Sequence, residues 1–226
     1  MKAFVFDMDG TITELSLPLE AMRQDTKDYY INKGLPSELL EAADGISSST
    51  AKARDYFLSK GINLNEWNQM ETEVDMILSQ HEGFAAQSAR LLDGTLDVVK
   101  KLRKLGFSTA ILTNNGRSSV DKIMEQIPLV DYFDIIQTRH ESPRPKPYPD
   151  GLLKIVSDLG LNKNEIVYVG DALIDATAAK RAGIEFWGVA TGETPAQALV
   201  KAGASKVFPS LNGILEESTS RMQKYD

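Results

Sequence analysis

The chain has 226 residues, a hydrophobic fraction of 42% and a charged fraction of 25%, the balance of an ordinary globular protein with room for one large domain or two smaller ones. A formal net charge of -7 argues against binding nucleic acid through its phosphate backbone, which needs a basic surface. Cysteine is absent, which excludes a disulfide framework, a thiolate nucleophile and a zinc–thiolate site.

The first six residues read as a short buried strand, because Ala3, Phe4, Val5 and Phe6 are consecutive and apolar. Asp7 and Asp9 interrupt that run before a signal-peptide core can develop. No later apolar run approaches the ~20 residues of a membrane-spanning helix. The expectation is therefore a cytoplasmic protein, monomer or homodimer, with neither a membrane nor a nucleic-acid partner. From about 15 to 89 the spacing predicts helices and no strand. Leu15, Leu19, Met22 and Tyr29 fall on one helical face, and Trp67, Met70, Val74, Ile77 and Leu78 on another. Between them, Pro36 and Ser37 can start a short helix. The stretch 45–50 reads as a loop running into a helix that carries Lys52 and Arg54, with Gly61 after its end.

From Leu92 the pattern changes to alternating helix and strand. Helices are predicted over 94–105, around Val120 to Ile127, over 152–159, 174–182 and 195–202, and at the C-terminus. Strands are predicted over 108–113, 134–137, 166–169, 186–190 and 206–208. Such alternation implies a doubly wound parallel sheet with helices on both faces, an α/β fold. The strand at 3–6 has no parallel partner nearby and must pair with strands after 107. The helical stretch 14–90 is then a smaller inserted domain, and 1–13 with 91–226 form the core.

In an open parallel sheet, ligands bind beyond the carboxyl ends of the strands. Asp7 and Asp9 follow the first strand, Thr113, Asn114 and Asn115 close the second, and Asp171 and Asp175 follow Val167-Tyr168-Val169. Lys146 lies in Arg144-Pro145-Lys146-Pro147, the loop before a helix. Each grouping alone has a plain structural meaning: Asp-x-Asp-Gly is a turn sequence, Thr-Asn-Asn and Asp171 with Asp175 suit helix caps, and a lysine between prolines is ordinarily solvated. Their joint occurrence, in order, points to chemistry. Asp7, Asp9 and Asp171 crowd negative charge that a hard divalent cation such as Mg²⁺ would offset. Mg²⁺ and Lys146 would then let a phosphate dianion approach Asp7 as nucleophile, with Asp9 as acid and base. Thr113 and the backbone N–H groups after it suit the phosphate oxygens.

These residues resemble the haloacid dehalogenase superfamily. Asp7-Met8-Asp9-Gly10-Thr11-Ile12 is similar to its first motif, Thr113-Asn114 to its second, Lys146 within Arg-Pro-Lys-Pro to its third, and Gly170-Asp171-Ala172-Leu173-Ile174-Asp175 to its fourth. The resemblance implies a Rossmann-like core with a helical cap inserted after the first motif. It implies catalysis by Asp7, Asp9, Thr113 and Lys146, with Gly10, Thr113, Asn114 and Lys146 around the phosphate. It implies Mg²⁺ on Asp7, the backbone carbonyl of Asp9, and Asp171, with Asp175 a ligand or orienting one through water. With Asp9 present, the chain resembles the phosphate-handling branch, since the dehalogenase branch lacks an acid/base Asp at that position. Hinges are expected near 13–14 and 89–92. Gly45-Ile46-Ser47 resembles cap loops of phosphoglycolate phosphatases and β-phosphoglucomutases, so the 45–50 loop with Lys52 and Arg54 is the expected specificity surface, and Arg144 is a further candidate for substrate contact. His81 and His140 form no metal cluster with each other. The expected activity is hydrolysis of a small phosphorylated metabolite. A phosphomutase using the same intermediate, a phosphonate-cleaving relative, a receiver-like signalling module, and a non-catalytic regulatory or binding protein on the same fold stand as alternatives.

Overall fold

The computed structural model describes residues 1–14 and 16–223, and it divides into two compact units: Met1–Ser16 with Ser88–Asp226, and Leu17–Gln87. Strand β1 (Ala3–Phe6) begins the first unit with all four residues buried. A strand covered on both faces has no polar side, which is why it reads as an unbroken apolar run rather than an alternating one.

The chain then enters the second unit with α1 (Leu19–Asn32), a 3₁₀ turn (Ser37–Leu39), α2 (Ile46–Ser59) and α3 (Leu64–Ala85). Its core joins Met22, Tyr30, Leu35, Ala53, Phe57, Trp67, Val74 and Leu78. Tyr30 stacks on Trp67 at 5.9 Å between ring centroids. Asn63 starts α3 with a capping box: its side chain accepts from the amides of Asn65 and Glu66, and Glu66 accepts from the Asn63 amide.

Two sequence expectations change in this unit. The stretch 45–50 is not a loop, because α2 begins at Ile46 and buries Ser49, Ala53 and Phe57 at four-residue intervals. Serine and threonine favour turns locally, and burial of one helical face outweighs that preference. In α1 the buried face is Met22, Thr26 and Tyr30, while Tyr29 is half-buried and donates its hydroxyl to Glu73 at 2.8 Å; Leu15 lies outside the described residues.

The first unit resumes with α4 (Thr95–Lys104), β2 (Ser108–Leu112), α5 (Arg117–Met124) and β3 (Ile135–Gln137). It continues with α6 (Asp150–Asp158), β4 (Ile166–Gly170), α7 (Leu173–Ala182) and β5 (Glu185–Val189), then α8 (Ala196–Ala202), β6 (Lys206–Phe208) and α9 (Leu211–Gln223). The strands form one parallel six-stranded sheet in the order β3-β2-β1-β4-β5-β6. Alternate residues of each strand point to opposite faces. On one face Ala3, Val5, Ala110 and Tyr168 pack with Leu152 and Ile155 of α6, Ala176 and Ala179 of α7, and Leu199 of α8. On the other, Phe4 meets Phe107 and Trp187, and Trp187 meets Phe208, at centroid separations of 5.2, 5.7 and 5.5 Å.

β1 pairs with β2 on one side and β4 on the other, and Phe6 lies opposite both Ile111 and Val169. The carboxyl ends of the three central strands therefore come level where the strand order reverses, the place where sheets of this kind hold ligands. No helix among the described residues is long and apolar enough to cross a membrane.

Candidate active site

Asp7 is the first residue beyond β1, and its amide donates to the Val169 carbonyl of β4 at 2.8 Å. The chain then folds back on itself, with the amides of Ile12 and Thr13 on the Met8 carbonyl at 2.8 and 2.9 Å. Gly10 has φ of 79°, a left-handed conformation that favours glycine, and a Cβ there would stand 2.5 Å from Oδ2 of Asp171. Its amide donates to the Thr13 carbonyl at 2.7 Å, so what Gly10 provides in this turn is close approach to Asp171. The Asp9 carboxylate accepts from the Thr13 hydroxyl at 3.3 Å and from the Asn115 side-chain amide at 2.6 Å.

Thr113 follows β2 and is buried; its hydroxyl oxygen accepts from the Asn115 amide at 3.0 Å, which leaves its proton to donate elsewhere. The Asn114 side chain, expected at the phosphate, is committed otherwise. It donates to the Lys146 carbonyl and accepts from the Lys146 amide, both at 2.9 Å. Asn114 thus clamps the loop that carries the lysine.

The Lys146 side chain is 3% exposed, and its Nζ donates to Asp7 at 2.5 Å and to Asp175 at 2.7 Å. Asp175 also accepts from the Tyr168 hydroxyl at 2.8 Å and, as a cap at the start of α7, from the Ala172 amide at 3.0 Å. Asp171 accepts from the Thr11 hydroxyl at 3.1 Å and the Glu193 amide at 3.0 Å. Carboxylate oxygens of Asp7, Asp171 and Asp175 lie within 4.8 Å of one another.

Burial and mutual repulsion dominate the ionisation of this group. Burial raises the Asp7 carboxyl well above its ordinary value, and Asp175 and Asp171 raise it further against the pull of Lys146. Asp171 is pushed up to about 6 by burial and by Asp175, with the Glu193 amide, Lys146 and Thr11 opposing. Burial works against the charged form of Lys146, yet Asp175 and Asp7 outweigh it and hold the ammonium protonated. Three carboxylates against one ammonium leave an excess of negative charge away from bulk water. An all-oxygen donor set with excess acid fits a hard divalent cation. The side chains brought together are thus Asp7, Lys146, Asp171 and Asp175, with Asp9 and Thr113 on adjoining turns.

The remaining expected residues have surroundings of their own. Arg144 forms a two-pronged ion pair with Asp150 and lies over the Tyr148 ring. Lys52 pairs with Asp44 at 2.6 Å and Glu41 at 3.2 Å, and Arg54 lies exposed on α2. His81 pairs with Asp25, and His140 accepts the Arg117 amide. Sequence reading missed Thr11, Thr13, Asn115, Tyr168 and the Glu193 amide as partners of the acidic residues. Thr11, Thr13 and Asn115 sit inside or beside motifs already marked, so proximity alone was a usable signal for them. Tyr168 read only as a strand residue, and a backbone amide has no letter.

A family model for haloacid dehalogenase-like hydrolases matches residues 1–183. Among curated proteins, the chain is 25% identical to a phosphoglycolate phosphatase of Vibrio parahaemolyticus, covering 96% of this chain and 95% of the relative. It is also 25% identical to an N-acetylmuramic acid 6-phosphate phosphatase of Pseudomonas aeruginosa, covering 81% and 79%. Among solved structures, a hydrolase from Pseudomonas syringae superposes with a TM-score of 0.66 at 20% identity, covering 97% of this chain and 99% of that one. A haloacid dehalogenase-like family protein from Streptococcus pneumoniae superposes with a TM-score of 0.63 at 17% identity, covering 96% and 98%. The chain belongs to the haloacid dehalogenase-like hydrolases.

Proposed function

We propose that the chain, as a haloacid dehalogenase-like hydrolase, is a Mg²⁺-dependent phosphatase that hydrolyses a small phosphorylated metabolite through an aspartyl-phosphate on Asp7. The observation that carries this reading is the charge pattern beyond β1 and β4: buried Asp7, Asp171 and Asp175 around the buried ammonium of Lys146. The names of the relatives, a phosphoglycolate and an N-acetylmuramic acid 6-phosphate phosphatase, support a phosphomonoester of a small acid or sugar as the substrate class.

Asp7, the backbone carbonyl of Asp9 and Asp171 are the residues that would hold Mg²⁺. When bound, the ion supplies positive charge that offsets repulsion between carboxylate and phosphate dianion and stabilises charge on the phosphoryl oxygens. The Asp7 carboxylate attacks phosphorus as the bond to the ester oxygen breaks. Asp9, oriented by Thr13 and Asn115, gives its proton to the departing oxygen. In the second half, ionised Asp9 takes a proton from the water that attacks phosphorus, which frees inorganic phosphate and regenerates Asp7. Lys146 adds positive charge beside the nucleophile, and Asp175 orients it. Thr113 and the backbone N–H groups after it bind the phosphoryl oxygens.

The test is phosphate release from an aryl phosphate and from a panel of phosphorylated acids and sugars, with Mg²⁺ or a chelator. Release that needs Mg²⁺, is abolished in Asp7→Asn and falls by about 10²–10⁴-fold in Asp9→Asn is expected. Activity retained in Asp7→Asn would remove Asp7 from its role. Transfer to a sugar phosphate without free phosphate would establish the phosphomutase instead.

A further inference from the structure

We propose that the segment after β5, residues 190–194, positions the Asp171 carboxylate for its cation, which rests on the reading of Asp171 as a ligand. The segment lies beyond the span matched by the family model, residues 1–183. None of the four sequence motifs includes it.

The segment touches two of those motifs at once. The Thr191 hydroxyl donates to the Gly10 carbonyl at 2.5 Å, which ties the segment to the turn after β1. Two residues on, the Glu193 amide donates to Oδ2 of Asp171 at 3.0 Å. Between them, a Cβ on Gly192 would stand 1.8 Å from the same Oδ2, nearer than any side chain tolerates. A Cβ on Gly10 would stand 2.5 Å from that oxygen, so Asp171 is held between two glycines from different loops. Its other oxygen, Oδ1, accepts from Thr11. At the base of the segment, the Ala190 amide donates to the Phe208 carbonyl of β6 at 2.9 Å, which anchors it to the sheet.

A carboxylate rotates about a broad, two-fold torsion, so its orientation must come from its partners. Thr11 fixes one oxygen and the Glu193 amide the other. A backbone N–H anchored at Thr191 and Ala190 holds its direction better than a free side chain would. Groups that orient a metal ligand typically change metal affinity or activity by about 10–100-fold when lost.

The experiment is calorimetric titration of the full chain with Mg²⁺ in the absence of substrate, on wild type, Thr191→Val, Thr191→Ser and Gly192→Ala. Each protein's thermal midpoint is also measured in chelator. The expected result is a Kd for Mg²⁺ weakened by about 10–100-fold in Thr191→Val and Gly192→Ala, with Thr191→Ser close to wild type. If Gly192→Ala does not fold, the two Thr191 variants carry the test. A lowered midpoint in chelator with an unchanged Kd for Mg²⁺ in Thr191→Val would mean that the segment only supports the fold, and would overturn the proposal. Wild type that takes up no Mg²⁺ would overturn it too, but by removing the metal reading of Asp171 itself, an outcome distinct from wild type and variants binding alike.

Discussion

Asp171 and Asp9 show how partners give the same side-chain type different surroundings. Asp171 sits beside Asp175, with burial and that neighbour raising its carboxyl to about 6. Asp9 is half-buried and accepts two neutral donors, Thr13 and Asn115. A carboxyl raised in the folded state carries a stability contribution that is complete below its unfolded value of 3.8 and is lost as pH rises through about 6. Glu141, Glu165 and Glu185, held down to about 2, act in the opposite sense, and theirs is lost as pH falls from 4.5. The metal-free protein should therefore lose thermal stability between about pH 4.5 and 6.5, and Mg²⁺ should offset that loss most at the upper end. A metal-free midpoint that rises across this window in a melting series would contradict a raised Asp171 carboxyl.

At the level of elements, the helical unit depends on starts and stops that the sequence marks with uneven clarity. Asn63 and Glu66 stand three residues apart before an apolar stripe, and they form the capping box that begins α3. Asn63→Ala should lower stability by about 0.5–2 kcal/mol in a urea titration, with phosphatase turnover per folded molecule unchanged. No loss of stability would show that burial of Trp67, Val74 and Leu78 alone sets where α3 begins. The start of α2 was not legible, since a run of serines and a threonine describes a loop until Ala53 and Phe57 join the core of this unit. The sheet was legible because a strand buried on both faces writes itself as consecutive apolar residues, and β1 and β4 do so. At the site, Asp7 and Asp171 were legible as charges placed at strand ends, and Lys146 as a lysine between prolines in the loop before α6. The commitment of Asn114 to the Lys146 backbone was not, because it joins residues 32 positions apart. The Glu193 amide and the space left by Gly192 carry no side-chain chemistry at all, and only the folded chain reveals them.

Across the whole molecule, a net charge of -7 gives no general attraction for an anionic substrate, so anion binding rests on local cations. Among the buried residues described, Lys146 is the only lysine or arginine, and Asp7 and Asp175 already engage it. A bound divalent ion then stabilises the folded state by mass action: at a hundred times its Kd the gain is about 2.7 kcal/mol. For a chain of this length that corresponds to a rise in thermal midpoint of roughly 5–10 °C, which chelator should reverse. A midpoint indifferent to Mg²⁺ and chelator would leave the acidic cluster without its ion. A bond between phosphorus and Asp7 can be tested by trapping. An aryl phosphate needs no protonation of its leaving group, so Asp9→Asn should still form the phosphoenzyme from it while hydrolysing that species slowly. Acid quenching, borohydride reduction and peptide mapping should then find homoserine at position 7 in Asp9→Asn and none in the Asp7→Asn, Asp9→Asn double variant. Phosphate release with position 7 unmodified, or modification at another carboxylate, would rule out Asp7 as the nucleophile.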